Sequence, residues 1–134
     1  MNVTENDFLI AFGTDDEKSL NDDHVGMAKY FYVYRFCGDQ KEFVEKRENV
    51  KFKGDESIKH GDPKKAQATS SVLKDIDVVA GKKFGPNIVR LLEKFVCVVI
   101  REETLNEAVD AVCSNWEKIL EQKNKKANRK HLVL

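Results

Sequence analysis

The chain has 134 residues, of which 41% are hydrophobic and 34% are charged, and this size and composition predict one soluble globular domain. Lysine plus arginine and aspartate plus glutamate both number 23, so no net charge draws the chain to nucleic acid or to an anionic membrane. No apolar run approaches the roughly 20 residues of a membrane-spanning helix, and we identify no signal peptide, so we expect a cytoplasmic protein with reduced cysteines.

The first half of the chain predicts three strands. Residues 8–12 are apolar at every position, which is typical of a strand covered on both faces. Residues 30–36 are mostly aromatic and β-branched, as strands prefer. Residues 42–52 mix charged and apolar side chains, and we predict a third, antiparallel strand there, at a sheet edge where charge discourages edge-to-edge association.

The second half alternates predicted helices and strands. Asp62 and Pro63 have the residue types of a helix start, and this helix is expected to end near residue 74. Residues 76–80 follow as a short buried strand. Pro86 opens a second predicted helix with one apolar face, and residues 96–100 form another apolar strand.

A third helix and a basic tail follow. Thr104 and Glu107 have the spacing of a capping box, in which each side chain bonds the backbone N–H of the other residue. Apolar residues then recur at helical spacing as far as Leu120. Residues 123–134 are rich in lysine, and we expect them to fray. We therefore predict one domain over residues 1–122, followed by a basic C-terminal tail at 123–134.

The predicted order of elements, β-β-β-α-β-α-β-α, indicates an α/β fold. The first three strands form an antiparallel meander, and the two strand–helix–strand steps require parallel strands with right-handed crossovers. Both conditions are met by a mixed five-stranded sheet of order 3-2-1-4-5, with helices on both faces. Only the second strand then runs antiparallel to the rest.

This topology predicts a ligand site at one edge of the sheet. The carboxyl ends of the first and fourth strands meet there, which brings the loops at residues 13–26 and 81–85 together. The helix start at residues 85–87 adds backbone N–H groups and a positive dipole end, which favour an anion. Lys82 and Lys83 add positive charge near this edge, and His24 is the one good transition-metal ligand nearby.

Four segments of the sequence then resemble a known family. They are IAFGTDDEKSLNDDHVGMAKYFYVYRF, IKHGDPKKA, LKDIDVVAGKKFGPNIVRLLEKF and TLNEAVDAV. In this order they resemble the dinitrogenase iron–molybdenum cofactor biosynthesis family, which includes the NifX and NafY type proteins and the carboxyl-terminal domain of NifB. The resemblance implies a ribonuclease H-like fold and a protein that is not an enzyme. It also implies binding of an iron–molybdenum or iron–sulfur cluster that passes between donor and acceptor proteins.

The resemblance can be followed residue by residue at the predicted site. The His-Phe-Gly signature of the family falls on His24, Val25 and Gly26, so the aromatic residue is replaced by valine. The glycine-rich segment after the fourth strand falls on residues 81–85, and many relatives carry a cysteine before that strand, where this chain has Ile76. The metal ligand is then His24. The cofactor-binding residues that we predict are His24, Gly26, Gly81, Lys82, Lys83, Gly85 and Asn87.

Two other functions remain open from the sequence. The first is a cofactor-free protein-interaction module that uses the basic tail as its contact. The second is a metal-dependent nuclease or phosphoryl transferase, which needs several carboxylates around two metal ions; its candidates are Asp15, Asp16 and Asp77. His24 would then be an ordinary loop residue. For the cluster-binding protein that the resemblance implies, we expect no nucleic-acid partner, no membrane contact, and a monomer or weak dimer.

Overall fold

The apolar runs of the sequence form a mixed sheet in the computed structural model, which describes residues 7–37, 40–49, 73, 75–85, 94–125 and 130–134. The strands are β1 (Asp7–Thr14), β2 (Tyr30–Cys37), β3 (Gln40–Glu48), β4 (Val78–Gly81), β5 (Val96–Val99) and β6 (Leu132–Val133). The helices are α1 (Leu105–Ser114), α2 (Trp116–Asn124) and a single 3-10 turn at Val25–Met27. The helix starts predicted at Asp62 and Pro86 lie outside the described residues.

The sheet has the order β3-β2-β1-β4-β5-β6. β1 pairs antiparallel with β2 and parallel with β4, because its apolar residues suit a central position with neighbours on both sides. β3 is antiparallel to β2, and β5 is parallel to β4. The predicted order 3-2-1-4-5 is therefore confirmed, with β2 the one antiparallel strand among the first five.

The prediction of five strands and a frayed tail is wrong at the end of the chain. Leu132 and Val133 form a sixth strand, parallel to β5, and the Leu134 N–H donates to the Val99 carbonyl at 2.8 Å. Leu132 and Leu134 also pack against the core. The partial burial of these two leucines stabilises the ordered end of the chain, an effect that the basic composition of the tail had obscured.

Each face of the sheet carries its own apolar cluster, because successive side chains of a strand point to opposite faces. On one face, Phe8, Ile10 and Phe12 of β1 pack in the cluster that contains the buried residues of α1 and α2. The other face is covered in part by the segment after the 13–26 loop. Its buried members include Ala11, Val25, Phe31, Val33, Leu73, Val79, Phe95 and Cys97.

The predicted third helix is two helices. Thr104 caps the first, and both hydrogen bonds of the capping box are present, with the Glu107 N–H 3.1 Å from Thr104 Oγ1. Asn115 then leaves helical geometry at φ −119° and ψ 26°. Its side-chain Nδ2 donates to the Ala111 carbonyl at 2.8 Å, and such local bonds compete with continued helix. The chain restarts as α2 at Trp116.

β3 is an edge strand, as predicted, but it spans Gln40–Glu48 rather than residues 42–52. A register shift between Val33 and Tyr34 of β2 adds one residue to β3, which is a bulge of the kind found at sheet edges. Charged side chains flank the exposed Phe43 along the strand. The described strand therefore has the charged, irregular edge that limits pairing with other chains.

Thr104→Ala should lower the free energy of unfolding by about 1 kcal/mol, because the α1 N-terminus loses its side-chain acceptor. Urea denaturation would measure this change. Glu107→Gln is the matched control and should have a smaller effect, since glutamine also completes a capping box. Equal stability of Thr104→Ala and the parent would contradict the role of the cap.

The three thiols should react in the order of their exposure. Cys37 is exposed, Cys113 is half-buried and Cys97 is buried. We expect iodoacetamide to modify Cys37 first and Cys113 more slowly, and to reach Cys97 only after unfolding, because reaction requires an accessible thiolate. Peptide mass spectrometry over time would test this order. Rapid native labelling of Cys97 would mean that β5 does not lie in the core.

Candidate functional site

The ends of β1 and β4 lie side by side and are joined through Val25. A Cβ placed on Gly13 would lie 2.9 Å from Val25 Cγ2, and one placed on Gly81 would lie 2.8 Å from the same atom. Real side chains do not approach this closely, so glycine at both positions provides the space that Val25 occupies. Val25 is almost completely buried there. The packing fixes the 13–26 loop on the sheet.

Backbone pairing continues this contact to the loop after β4. The Val25 N–H donates to the Lys83 carbonyl at 2.8 Å, and His24 and Lys83 form an isolated parallel bridge. The two loops that the sequence placed at this edge are therefore in contact. The residues after Val25 turn through the 3-10 helix into β2.

The imidazole of His24 lies against Gly85. A Cβ on Gly85 would lie 2.6 Å from His24 Nδ1, 3.1 Å from Cε1 and 3.2 Å from Cγ. The ring therefore occupies space that any other residue at position 85 would need. Because Nδ1, Cε1 and Cγ are the ring atoms nearest Gly85, Nε2 lies on the far side of the ring. His24 itself is half-buried.

The family follows from a comparison with family models. A family model described as "dinitrogenase iron-molybdenum cofactor" matches residues 6–117, a span that includes both loops of the site. The chain belongs to this family. No curated protein matches the chain. Membership links the protein to the iron–molybdenum cofactor of dinitrogenase, and accessory proteins of this type are generally non-catalytic.

In this member of the family, the two neighbouring lysines have different surroundings. Lys82 Nζ lies 2.7 Å from Asp22 Oδ1 and 2.5 Å from Glu103 Oε2, so it connects the 13–26 loop to the segment before α1. The hydrogen bond with Lys82 lowers the pKa of Asp22, and the bonds to Asp22 and Glu103 raise the pKa of Lys82. Lys83 is exposed. Of the two lysine charges, that of Lys83 is the one that faces solvent.

Two buried asparagines that the sequence analysis did not single out border the His24 segment. Asn21 is 2% exposed, and its Nδ2 donates to the carbonyls of Asp23 and His24, both at 3.0 Å. Asn49 is 7% exposed, and its Nδ2 donates to the carbonyls of Gly26 and Ala28. Neither position stands out in the sequence, because asparagine is common in loops.

The remaining predicted positions are placed less directly. Gly26 is half-buried and contributes its carbonyl to the Asn49 bond. Ile76 is buried in the core before β4, at the end of that strand opposite to His24. Asn87 lies outside the described residues, so its predicted contact with a ligand stays a prediction.

Asp16 and Asp77, two of the acids that a nuclease would need, do not converge. Asp16 accepts from the N–H groups of Lys18 and Ser19 within its own loop. Asp77 accepts from the Leu9 N–H at 3.0 Å, which places it about 17 Å from the carboxyl end of β1 at Thr14, at about 3.3 Å per residue. Within the described ranges, no three histidine, cysteine or acidic residues are grouped to hold a metal ion.

None of the described helices is long and apolar enough to cross a bilayer.

Gly85→Ala should displace the His24 ring, because the new Cβ would overlap Nδ1. Nuclear magnetic resonance of the imidazole Cε1–H would detect the displacement as a changed chemical shift. Lys83→Ala is the control, since it alters an exposed side chain of the same loop and leaves the backbone bridge in place. An unchanged His24 signal in Gly85→Ala would contradict the close packing.

Proposed function

We propose that this protein binds a preassembled iron–molybdenum or iron–sulfur cluster through His24 and carries it between donor and acceptor proteins. The observation that carries the proposal is the packing of the His24 ring on Gly85, at the point where two loops of a cofactor-family domain meet. That contact gives one histidine a defined orientation at the edge of the sheet. Function commonly lies in loops held by a rigid scaffold in this way.

The donor set suits a cluster better than a bare metal ion. Neutral imidazole is a good ligand for iron, and His24 would use Nε2, the ring nitrogen farther from Gly85. A bare ion needs several protein ligands, and the described residues supply no group of three. A cluster brings its own bridging sulfides and so needs few protein atoms. We therefore treat the cluster as cargo that the protein holds by few contacts.

The charges around His24 support an anionic cargo. Lys83 is exposed and adjacent to His24 through the backbone bridge. The helix predicted to begin at Pro86 would add the backbone N–H donors of its first turn from Asn87 onward. We assign Lys82 and Gly81 a different part, since Lys82 forms two ion pairs and Gly81 lies under Val25. They hold the two loops together, while His24, Lys83 and Gly85 face the cargo.

The finer parts of the proposal follow from family membership and from strand order. We propose a ribonuclease H-like class for the α/β fold, a single family domain within residues 1–122, and a cytoplasmic monomer or weak dimer. Partners would be the proteins that supply and accept the cluster. The nuclease alternative is less favoured, because Asp77 lies at the opposite end of the sheet from Asp15 and Asp16.

His24→Ala should preserve the fold and weaken cluster binding by roughly tenfold or more, the scale of about 1.4 kcal/mol. The probes are isolated iron–molybdenum cofactor and a reconstituted iron–sulfur cluster, each titrated anaerobically and followed by absorption. His131→Ala is the matched control, because His131 is an exposed histidine outside the site. It should bind as the parent does.

The outcomes separate the candidate functions. Equal binding by His24→Ala and the parent would remove His24 as the ligand. No binding of either cluster by the parent would overturn the carrier proposal and favour the protein-interaction module. In that case alanine substitution of the tail lysines Lys125, Lys126 and Lys130, which leaves the sequence of β6 intact, should remove binding of a partner protein that the parent retains.

A further inference from the structure

Several hydrogen bonds hold the backbone around His24, and the side chains of Asn21 and Asn49 supply four of them. The His24 carbonyl accepts from Asn21 Nδ2 at 3.0 Å and from the Met27 N–H at 2.8 Å, which uses both of its lone pairs. The Asp23 carbonyl accepts from the same Asn21 amide. One side-chain amide therefore fixes two successive peptide groups on the N-terminal side of the 3-10 turn.

Asn49 makes the equivalent bonds on the C-terminal side. Its Nδ2 lies 2.9 Å from the Gly26 carbonyl and 2.8 Å from the Ala28 carbonyl. The Asn49 N–H donates in turn to the Lys29 carbonyl at 2.9 Å. The asparagine follows β3, which β2 and β1 separate from β4, so it connects the His24 segment to the far side of the sheet.

Stability alone is a poor explanation of these two residues. Oδ1 of Asn21 and Oδ1 of Asn49 are buried and have no hydrogen-bond partner within the part of the chain that the structure describes. A buried acceptor without a partner destabilises a fold. Among the described residues, the Oδ1 of each asparagine therefore has no partner, while both hydrogens of its amide are used on the loop.

We propose that Asn21 and Asn49 are positioning residues that hold His24 in its orientation for cluster binding. The inference rests on the proposed function, in which His24 is the ligand. The two amides fix the carbonyls on both sides of the 3-10 turn, and Val25 fixes its underside. The imidazole then has little freedom to leave Gly85, so it binds its cargo with a smaller loss of conformational entropy.

The test replaces each amide by the isosteric carboxyl group, which cannot donate twice to carbonyls. The variants are Asn21→Asp and Asn49→Asp. The matched control is Asn115→Asp, because Asn115 Nδ2 also donates to a carbonyl, that of Ala111, but lies between the two helices. Asn21→Ser and Asn49→Ser remove the donors without adding charge and serve as second variants if the aspartates unfold.

Two readouts are taken on each variant. Hydrogen exchange of the Val25 and Met27 amides reports on the loop directly, with the amides of β1 and β4 as the internal reference. We expect exchange at Val25 and Met27 to be about tenfold faster in the Asn21 and Asn49 variants, with the reference amides unchanged. We also expect reconstituted iron–sulfur cluster to bind about tenfold more weakly. Asn115→Asp should lose stability without either change.

The inference and the function on which it rests fail in different ways. Unchanged exchange at Val25 and Met27, or unchanged cluster affinity with faster exchange, would overturn the positioning role. Weakened binding in Asn115→Asp equal to that in Asn21→Asp would also overturn it, because the effect would then follow stability. Absence of cluster binding by the parent protein would instead overturn the proposed function.

Discussion

The packing of Val25 between Gly13 and Gly81 is the constraint on which the site depends. The two glycines come from β1 and β4, strands that are adjacent in the sheet although far apart in the sequence. With a side chain at either glycine, Val25 could not reach its buried position. The loop would then lose both its apolar anchor and the Val25–Lys83 hydrogen bond. The position of the loop therefore depends on β1 and β4 being neighbours in the sheet.

Fixing Val25 also fixes the direction of its neighbour. His24 has φ −54° and ψ 143°, an extended conformation in which successive side chains point to opposite sides. With Val25 directed into the sheet, His24 is directed away from that glycine pair and lies against Gly85. The family signature has an aromatic residue where this chain has Val25. The buried environment of Val25 explains why an apolar residue is required at this position.

The sequence predicted the features that depend on apolar patterning and local chemistry. The runs at residues 8–12 and 96–100 gave correct central strands, and the spacing of Thr104 and Glu107 gave a correct helix start. The sequence did not predict β6, because its pairing with β5 is a tertiary effect, and it did not predict the break at Asn115, because one local side-chain bond interrupts an otherwise continuous helical pattern. Asn49 was missed because its bonds join segments whose contact is set by the sheet, and Asn21 was missed because its local bonds depend on the conformation of the loop.

The two lysines after β4 show how strand geometry assigns different parts to adjacent, chemically identical residues. Alternation puts Lys82 on the face of Val78 and Ala80, which is the face that α1 covers. Glu103 comes just before α1 and Asp22 lies in the adjoining loop, so Lys82 is drawn into two ion pairs. The lowered pKa of Asp22 keeps this link intact at neutral pH, and it is lost only as the pH falls below the usual range of an aspartate. Lys83 alternates to the other face, beside His24, where its exposed charge can meet an anion. A basic pair that looks uniform in the sequence thus divides into one cation that holds the loops and one that is available to the cargo.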